Sequence, residues 1–190
     1  MFTQRSIRRW QSAMLGLLSL AAQAETCTAT DSCRIPVTFT GVYQEETCEI
    51  SINGGASENL VTLPKIATAQ LQRSGDEAGS RQFDITLKSC PAGRPVALHF
   101  ISDGIAADSD TGNLTNRTGT GMSQGVQVRL RNASGIQLRI DDINSYQQYL
   151  IPSNGDEVTQ YYSASYYAKS SKSVTPGMVN TFSGIELQYK

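Results

Sequence analysis

The chain has 190 residues, with 16 basic and 17 acidic side chains, a single histidine and a formal charge of −1 at neutral pH. A balance this close to neutral supplies no basic stripe to attract nucleic acid or an anionic membrane surface, which argues against both as partners. The length suits one domain with a sizeable core.

Residues 1–24 read as a removed secretory signal. Arg5, Arg8 and Arg9 form a basic lead, Met14 to Ala22 an apolar core, and Ala22-Gln-Ala24 a small-x-small cleavage site. The apolar core is too short to cross a bilayer interior of roughly 30 Å as a helix. Cleavage leaves 166 residues (190 less 24), with 13 basic and 17 acidic side chains, hence a charge of −4. The only tryptophan, Trp10, goes with the signal. No later apolar run approaches membrane length, so no membrane span is expected.

All four cysteines, Cys27, Cys33, Cys48 and Cys90, fall in the exported part. An even number in an oxidising compartment reads as two disulfides, for which three pairings exist. The short spacing favours a local Cys27–Cys33 loop and leaves Cys48–Cys90 to close a long one. The long bridge would stabilise by roughly 3–4 kcal/mol on the loop-entropy model. No metal site or other cofactor is expected, because the cysteines lack the usual close pairs and the only histidine is His99.

In chain order, residues 25–33 are polar and small. From Arg34 the apolar side chains alternate: Ile35, Val37, Phe39, then Gly41 in phase, then Tyr43. Strict alternation puts these five positions on one face of an extended strand, either kept in this molecule's sheet or offered to a neighbour. Strand character continues through Cys48 and Glu49–Ile52 to a turn at Asn53-Gly54-Gly55. Leu60 to Leu63 suggests another short strand, stopped by Pro64, and Ser74 to Gly79 a polar loop. Phe83, Ile85 and Leu87 alternate into Cys90. Val96, Leu98 and Phe100 follow, with His99 on the opposite face. Residues 103–125 form a Gly-, Asp-, Thr- and Asn-rich loop interrupted by Leu114. Val126, Val128 and Leu130, then Ile136, Leu138 and Ile140, read as a hairpin. Tyr149–Ile151 is a short strand, and Gln160–Lys169 is rich in Tyr and Ser. The last run alternates through Gly177, Val179, Thr181, Ser183, Ile185, Leu187 and Tyr189, one residue before the terminal Lys190. No amphipathic helix is evident, and the recurrent short strands with turn punctuation indicate an all-β sandwich.

Gly121-Met-Ser-Gln-Gly125 matches the G-x-S-x-G nucleophile elbow. The elbow requires a preceding strand, a following helix and a downstream histidine, and this chain supplies none of them. Asp108-Ser-Asp-Thr-Gly-Asn113 lacks the sixth-position glycine and closing glutamate of a calcium loop, and reads as a surface turn. No nucleophile–base arrangement is present, so an enzyme is not expected.

Taken together, these features resemble the pilin subunits of chaperone–usher fimbriae, of the type 1 and P pilus kind. The resemblance rests on Cys48 early in the first strand and Cys90 closing the third. It rests also on Gly41 seven residues before Cys48, Gly177 fourteenth from the end and Tyr189 penultimate. Gly112-Asn-Leu-Thr-Asn116 and Gly125-Val-Gln-Val-Arg-Leu130 are also similar to the family. It implies an incomplete immunoglobulin-like sandwich that lacks its final strand, which a chaperone or a neighbouring subunit supplies. On that basis the chain divides into a signal (1–24), an N-terminal extension with the donor strand (25–46) and a pilin domain (47–190).

Carried over by position, Ile35, Val37, Phe39, Gly41 and Tyr43 would be donor residues, with Gly41 where the acceptor leaves no room for a side chain. Gly177, Val179, Ile185, Leu187 and Tyr189 would belong to the groove-lining last strand, and the carboxylate of Lys190 to the chaperone contact. The implied partners are a periplasmic chaperone, an outer-membrane usher and other pilin subunits. The implied location is the surface fimbrium of a Gram-negative bacterium, reached through the periplasm. The Cys27–Cys33 leader departs from the family pattern and reads first as a neutral extension outside the groove, with a plug controlling partner choice or the mark of a specialised subunit as the other readings; the function expected is that of a minor or specialised structural subunit. The alternative, a receptor-binding tip adhesin, would need an extra lectin domain, for which 166 residues leave no room.

Overall fold

The computed structural model describes residue 40 and residues 47–56, 60–169 and 174–190. Gln44–Lys190 form one compact unit. Ile35, Val37, Phe39, Gly41, Tyr43, Cys27 and Cys33 lie outside the described residues, and so does the expected leader disulfide.

The described residues form β1 (Glu49–Ile52), β2 (Glu77–Lys88), β3 (Pro95–Ile101), β4 (Leu114–Thr115), β5 (Val126–Asn132), β6 (Gln137–Leu138), β7 (Tyr146–Leu150), β8 (Val158–Ala168) and β9 (Gly184–Tyr189). One 3₁₀ turn, Thr68–Gln70, is the only helical piece among them. The alternating runs become strands because alternation commits one face to the interior. Thus Phe83, Ile85 and Leu87 of β2 point inward toward Val96, Leu98 and Phe100 of β3, and Ile85, Leu87, Val96 and Leu98 retain no exposed surface. Each such side chain contributes about 1.5–3 kcal/mol relative to an exposed position. The Asn53-Gly54 turn forms as expected, closed by Gly55 N–H donating to Ile52 O at 2.9 Å.

The larger sheet has the order β1-β2-β8-β5-β4, with β6 also paired to β5, and the smaller sheet has the order β7-β3-β9. All paired strands are antiparallel. An immunoglobulin sandwich sets strands A, B, E and D in one sheet and C, F and G in the other. β1, β2, β8 and β5 take the first set, and β3 and β9 take C and F. The position of G, alongside β9, has no occupant among the described residues. Among the described residues the fold is an immunoglobulin-like sandwich without its last strand.

The structure revises four expectations. Residues 60–63 join no ladder, so Cys90 closes the second strand rather than the third. β2 begins at Glu77, inside the expected polar loop. Ile136 is in phase with Leu138 and Ile140 but is 63% exposed, because the Asn132–Ile136 turn carries it out of the sheet. Finally, the C-terminal run is not one strand from Gly177 to Tyr189. Only Gly184–Tyr189 pairs with β3, and residues 177–183 cross toward residues 116–124. Gly177 and Val179 therefore precede the last strand.

The Cys48–Cys90 disulfide ties the start of β1 to the end of β2, closing a separation of 42 residues.

Candidate functional site

Among the described residues the larger sheet ends on β1 and β4 and the smaller on β7 and β9, and the β1 and β9 edges meet at Cys48 and Tyr189. In the β3–β9 ladder, Lys190 N–H donates to Pro95 O at 3.1 Å, which makes that pair a hydrogen-bonded one. Antiparallel pairs alternate, so Gln188, Glu186 and Gly184 also bond to β3. Ile185, Leu187 and Tyr189 consequently aim their N–H and C=O groups away from β3, into the vacant strand position. The same parity holds at β1: Asn53 N–H donates to Asp84 O at 3.0 Å, so Ser51 and Glu49 bond β2 while Cys48 and Ile50 face outward. The Cys48 N–H is taken by the Tyr189 hydroxyl at 2.7 Å. That bond stitches the two edges together at one end.

Beyond the stitch the sheets part, and a groove of about 550 Å³ opens between them. Its floor is the core itself: Phe83, Ile85, Phe100, Leu130 and Ala164. One rim is Ile52 with Leu60–Leu63, and the other is Val179–Ser183 with Ile185. Leu60 is 81% exposed and Phe182 36%, so apolar surface continues onto the lips. An apolar trough flanked by unpaired strand groups is what sheet proteins ordinarily cover or blunt. It is suited to receiving an extended strand, whose backbone would complete the ladder and whose alternate side chains would fill the trough.

The crossover that forms the second rim is held by the larger sheet's loops. Met178 N–H donates to Gly121 O at 2.8 Å, and Ser123 N–H donates to Met178 O at 2.9 Å. The Asn116 side chain accepts from Asn180 N–H at 2.8 Å and donates to Met178 O at 3.0 Å. Of the residues carried over from the family, Val179 and Ile185 line the groove, while Leu187 and Tyr189 pack against the core. Gly177 stands at the crossover, and Lys190 is exposed with its ammonium 4.7 Å from the Tyr146 ring centroid.

The remaining motifs serve the scaffold. Ser123 of the G-x-S-x-G match is buried, and its hydroxyl donates to Thr175 O at 2.6 Å. The Asp108 carboxylate accepts from Thr111 N–H at 3.0 Å and pairs with Lys169, so a lysine occupies the place of a cation. Burial tends to raise its pKa, but the bonds from Lys169 and Thr111 outweigh burial and hold it at about 2. Periodicity gave no signal for two polar clusters. Tyr149 and Tyr162, both fully buried, share a hydroxyl–hydroxyl bond of 2.8 Å, and Tyr149 donates to Ile85 O at 3.0 Å. Burial pushes both phenols above the ordinary tyrosine range. On the outer face Glu77 accepts from Arg131 (2.7 Å) and Ser165 (2.6 Å), and chiefly Arg131 lowers its pKa.

Fold and groove define an all-β subunit whose sandwich is one strand short. The fimbrial protein family model matches residues 37–190, and the chain belongs to that family. It is 33% identical over 175 residues to the major fimbrial subunit SMF-1 of Stenotrophomonas maltophilia, covering 88% of this chain and 95% of that one. It is 29% identical over 211 residues to the serotype 2 fimbrial subunit of Bordetella pertussis, covering 98% and 97%. Among solved structures, a chain from a chaperone–usher pilus superposes with a TM-score of 0.58 at 18% identity, over 86% of this chain and all of that one. The P pilus rod subunit PapA gives 0.56 at 19% identity, over 75% and 99%. At these identities the two structures share the fold. The protein is a fimbrial subunit, a structural component rather than an enzyme.

Proposed function

We propose that this subunit polymerises by donor-strand exchange, with its groove receiving the extended segment Ile35–Tyr43 of the next subunit. The carrying observation is the free edge of β9, where Ile185, Leu187 and Tyr189 present backbone groups above an apolar trough. The alternation of Ile35, Val37, Phe39, Gly41 and Tyr43 supplies a matching apolar face. Residues 1–24 are the export signal, 25–46 the donor extension and 47–190 the acceptor domain.

During transit through the periplasm a chaperone lends the missing strand and contacts the Lys190 carboxylate. An outer-membrane usher then exchanges that strand for the neighbour's extension, and the finished pilus supports adhesion. Within that pilus the chain serves as a minor or specialised subunit, with the cysteine-bearing leader at Cys27 and Cys33 a neutral extension outside the groove.

Produced alone in the periplasm, the subunit aggregates or is degraded, and a cognate chaperone rescues it. Deleting residues 25–46 leaves chaperone capture intact and abolishes incorporation, and Gly41→Leu in the intact chain has the same effect. A stable lone monomer with a cooperative melt would overturn the incomplete-fold reading. Normal assembly of Gly41→Leu would overturn the donor role of residues 35–43.

A further inference from the structure

The end of the groove away from the Cys48–Tyr189 stitch carries charge that the scaffold does not neutralise. Arg81 shares the phase of Phe83 and Ile85 on β2, so the strand that floors the trough runs on past Phe83 into an exposed arginine. Its Nε–H donates to Thr62 O at 3.1 Å, which holds the guanidinium against one lip and leaves its two terminal NH2 groups unbonded among the described residues. At the other lip Arg117 is exposed, with its guanidinium carbon 5.1 Å from the Phe182 ring centroid. Arg73, Arg129, Arg131 and Arg139 each pair with an acid, whereas Arg81 and Arg117 pair with none among the described residues. Asp103 stands beside the start of β9, its Cβ 3.6 Å from where a Cβ on Gly184 would be, and Lys65 follows the Leu60–Leu63 lip by two residues. These three cations outnumber the one acid, and an exposed positive field of this kind attracts and orients an anionic partner.

The extension carries the opposite charge at one of its ends. Gln44, Glu45 and Glu46 follow Tyr43, whereas Arg34 precedes Ile35. Every strand pairing in the two sheets is antiparallel, so a strand added beside β9 in the same sense runs with its Tyr43 end toward Gly184 and leaves between the lips. That orientation delivers Glu45 and Glu46 to Arg81 and Arg117. The reverse orientation would deliver Arg34 there, cation to cation.

Resting on the donor-strand reading, we infer that Glu45 and Glu46 of a second copy of this chain pair with Arg81 and Arg117, forming a charged clasp at the junction between subunits. The clasp lies beyond the ladder, which begins at Gly184, and depends on long exposed side chains instead of a fixed strand register. A guanidinium with free NH2 groups donates to both oxygens of a carboxylate. Charge pairs on a rim act chiefly on capture and on the choice of partner. The groove therefore prefers extensions that carry acids just after the donor segment, this chain's own among them.

The test is a competition on the intact chain. It is refolded with an excess of two synthetic peptides in equal amounts, both spanning Arg34–Glu46 with an amidated end. One is native and the other is Glu45→Gln/Glu46→Gln, and mass spectrometry reads which is bound. At about 0.05 M salt the wild-type chain takes up the native peptide about four-fold more than the neutral one, the scale of two exposed ion pairs. At about 0.5 M salt the preference falls below about 1.5-fold, because screening reaches charges on a rim. On Arg81→Gln/Arg117→Gln the peptides bind within about 1.5-fold of each other at either salt level. Arg117→Gln alone leaves the Arg81–Thr62 bond in place and reduces the preference to about two-fold, which separates charge from any displacement of that lip. Arg81→Glu/Arg117→Glu favours a Glu45→Lys/Glu46→Lys peptide over the native one. Equal uptake of native and neutral peptides by the wild-type chain at low salt overturns the clasp, and so does an undiminished preference in Arg81→Gln/Arg117→Gln. Failure of the wild-type chain to capture any of the peptides overturns the donor-strand reading beneath it.

Discussion

Gly177→Ala tests the crossover that shapes the groove. Gly177 has φ +156°, and an added Cβ would stand 2.5 Å from Ser123 N, 2.7 Å from Met122 C and 2.9 Å from Gly121 O. All three are backbone atoms, so no side chain can rotate aside. Relief requires residues 177–180 to lift away from residues 121–123. The bonds then at risk are Met178 N–H to Gly121 O (2.8 Å), Ser123 N–H to Met178 O (2.9 Å) and Asn180 N–H to Asn116 Oδ1 (2.8 Å). At about 0.5–1.5 kcal/mol net for each, losing the three costs about 2–4 kcal/mol. Val179 and Thr181 move with the segment, so the rim is displaced as well. Gly135→Ala is the control: φ is +77° with nothing within 4 Å of the added carbon, which leaves a backbone cost of about 1 kcal/mol. Guanidinium unfolding of the intact chain, refolded with the Arg34–Glu46 peptide, reads the stability loss, and peptide release reads the rim. Gly177→Ala should lose the larger increment and release peptide faster, and Gly135→Ala should release at the wild-type rate. Equal losses with unchanged release in both variants would refute the close-approach argument.

Two further predictions concern the scaffold. Tyr149→Phe leaves the buried Tyr162 hydroxyl without its 2.8 Å partner and should cost about 1–3 kcal/mol, while adding Tyr162→Phe should cost less than the two single losses summed. A strictly additive double variant in the same unfolding assay would show that the hydroxyls are not coupled. The Asp108 carboxyl, held at about 2 against an ordinary 3.8, contributes stability that is complete above the ordinary value and is lost as pH falls from there through the folded one. Unfolding midpoints of wild type should therefore drop between about pH 4 and pH 2, and the drop should shrink in Asp108→Asn. An undiminished drop in that variant would assign the acid sensitivity elsewhere.

Periodicity alone determined most of the framework. A strand buried on one face must alternate, so Phe83 to Leu87, Val96 to Phe100 and Val126 to Leu130 were legible as strands before any contact was known. The turn at Asn53-Gly54 was legible because its positive φ values suit those two residue types. The all-β class follows from these runs, and so does the vacant final strand, through the family resemblance that the cysteine and C-terminal spacings carry.

What the tertiary structure decided are features without a local cause. Leu60–Leu63 has the composition of a strand, yet it belongs to no strand ladder among the described residues and forms one lip of the groove. The alternation from Gly177 to Tyr189 runs unbroken in sequence, but the first half is drawn off by backbone bonds to Gly121 and Ser123. Those bonds depend on an approach that only a glycine at 177 permits. Hydrogen-bond parity along β9, which turns Ile185, Leu187 and Tyr189 outward, depends on the register against β3. Alternation fixes which face a side chain takes, whereas the direction of each N–H is fixed only when a partner strand is in place.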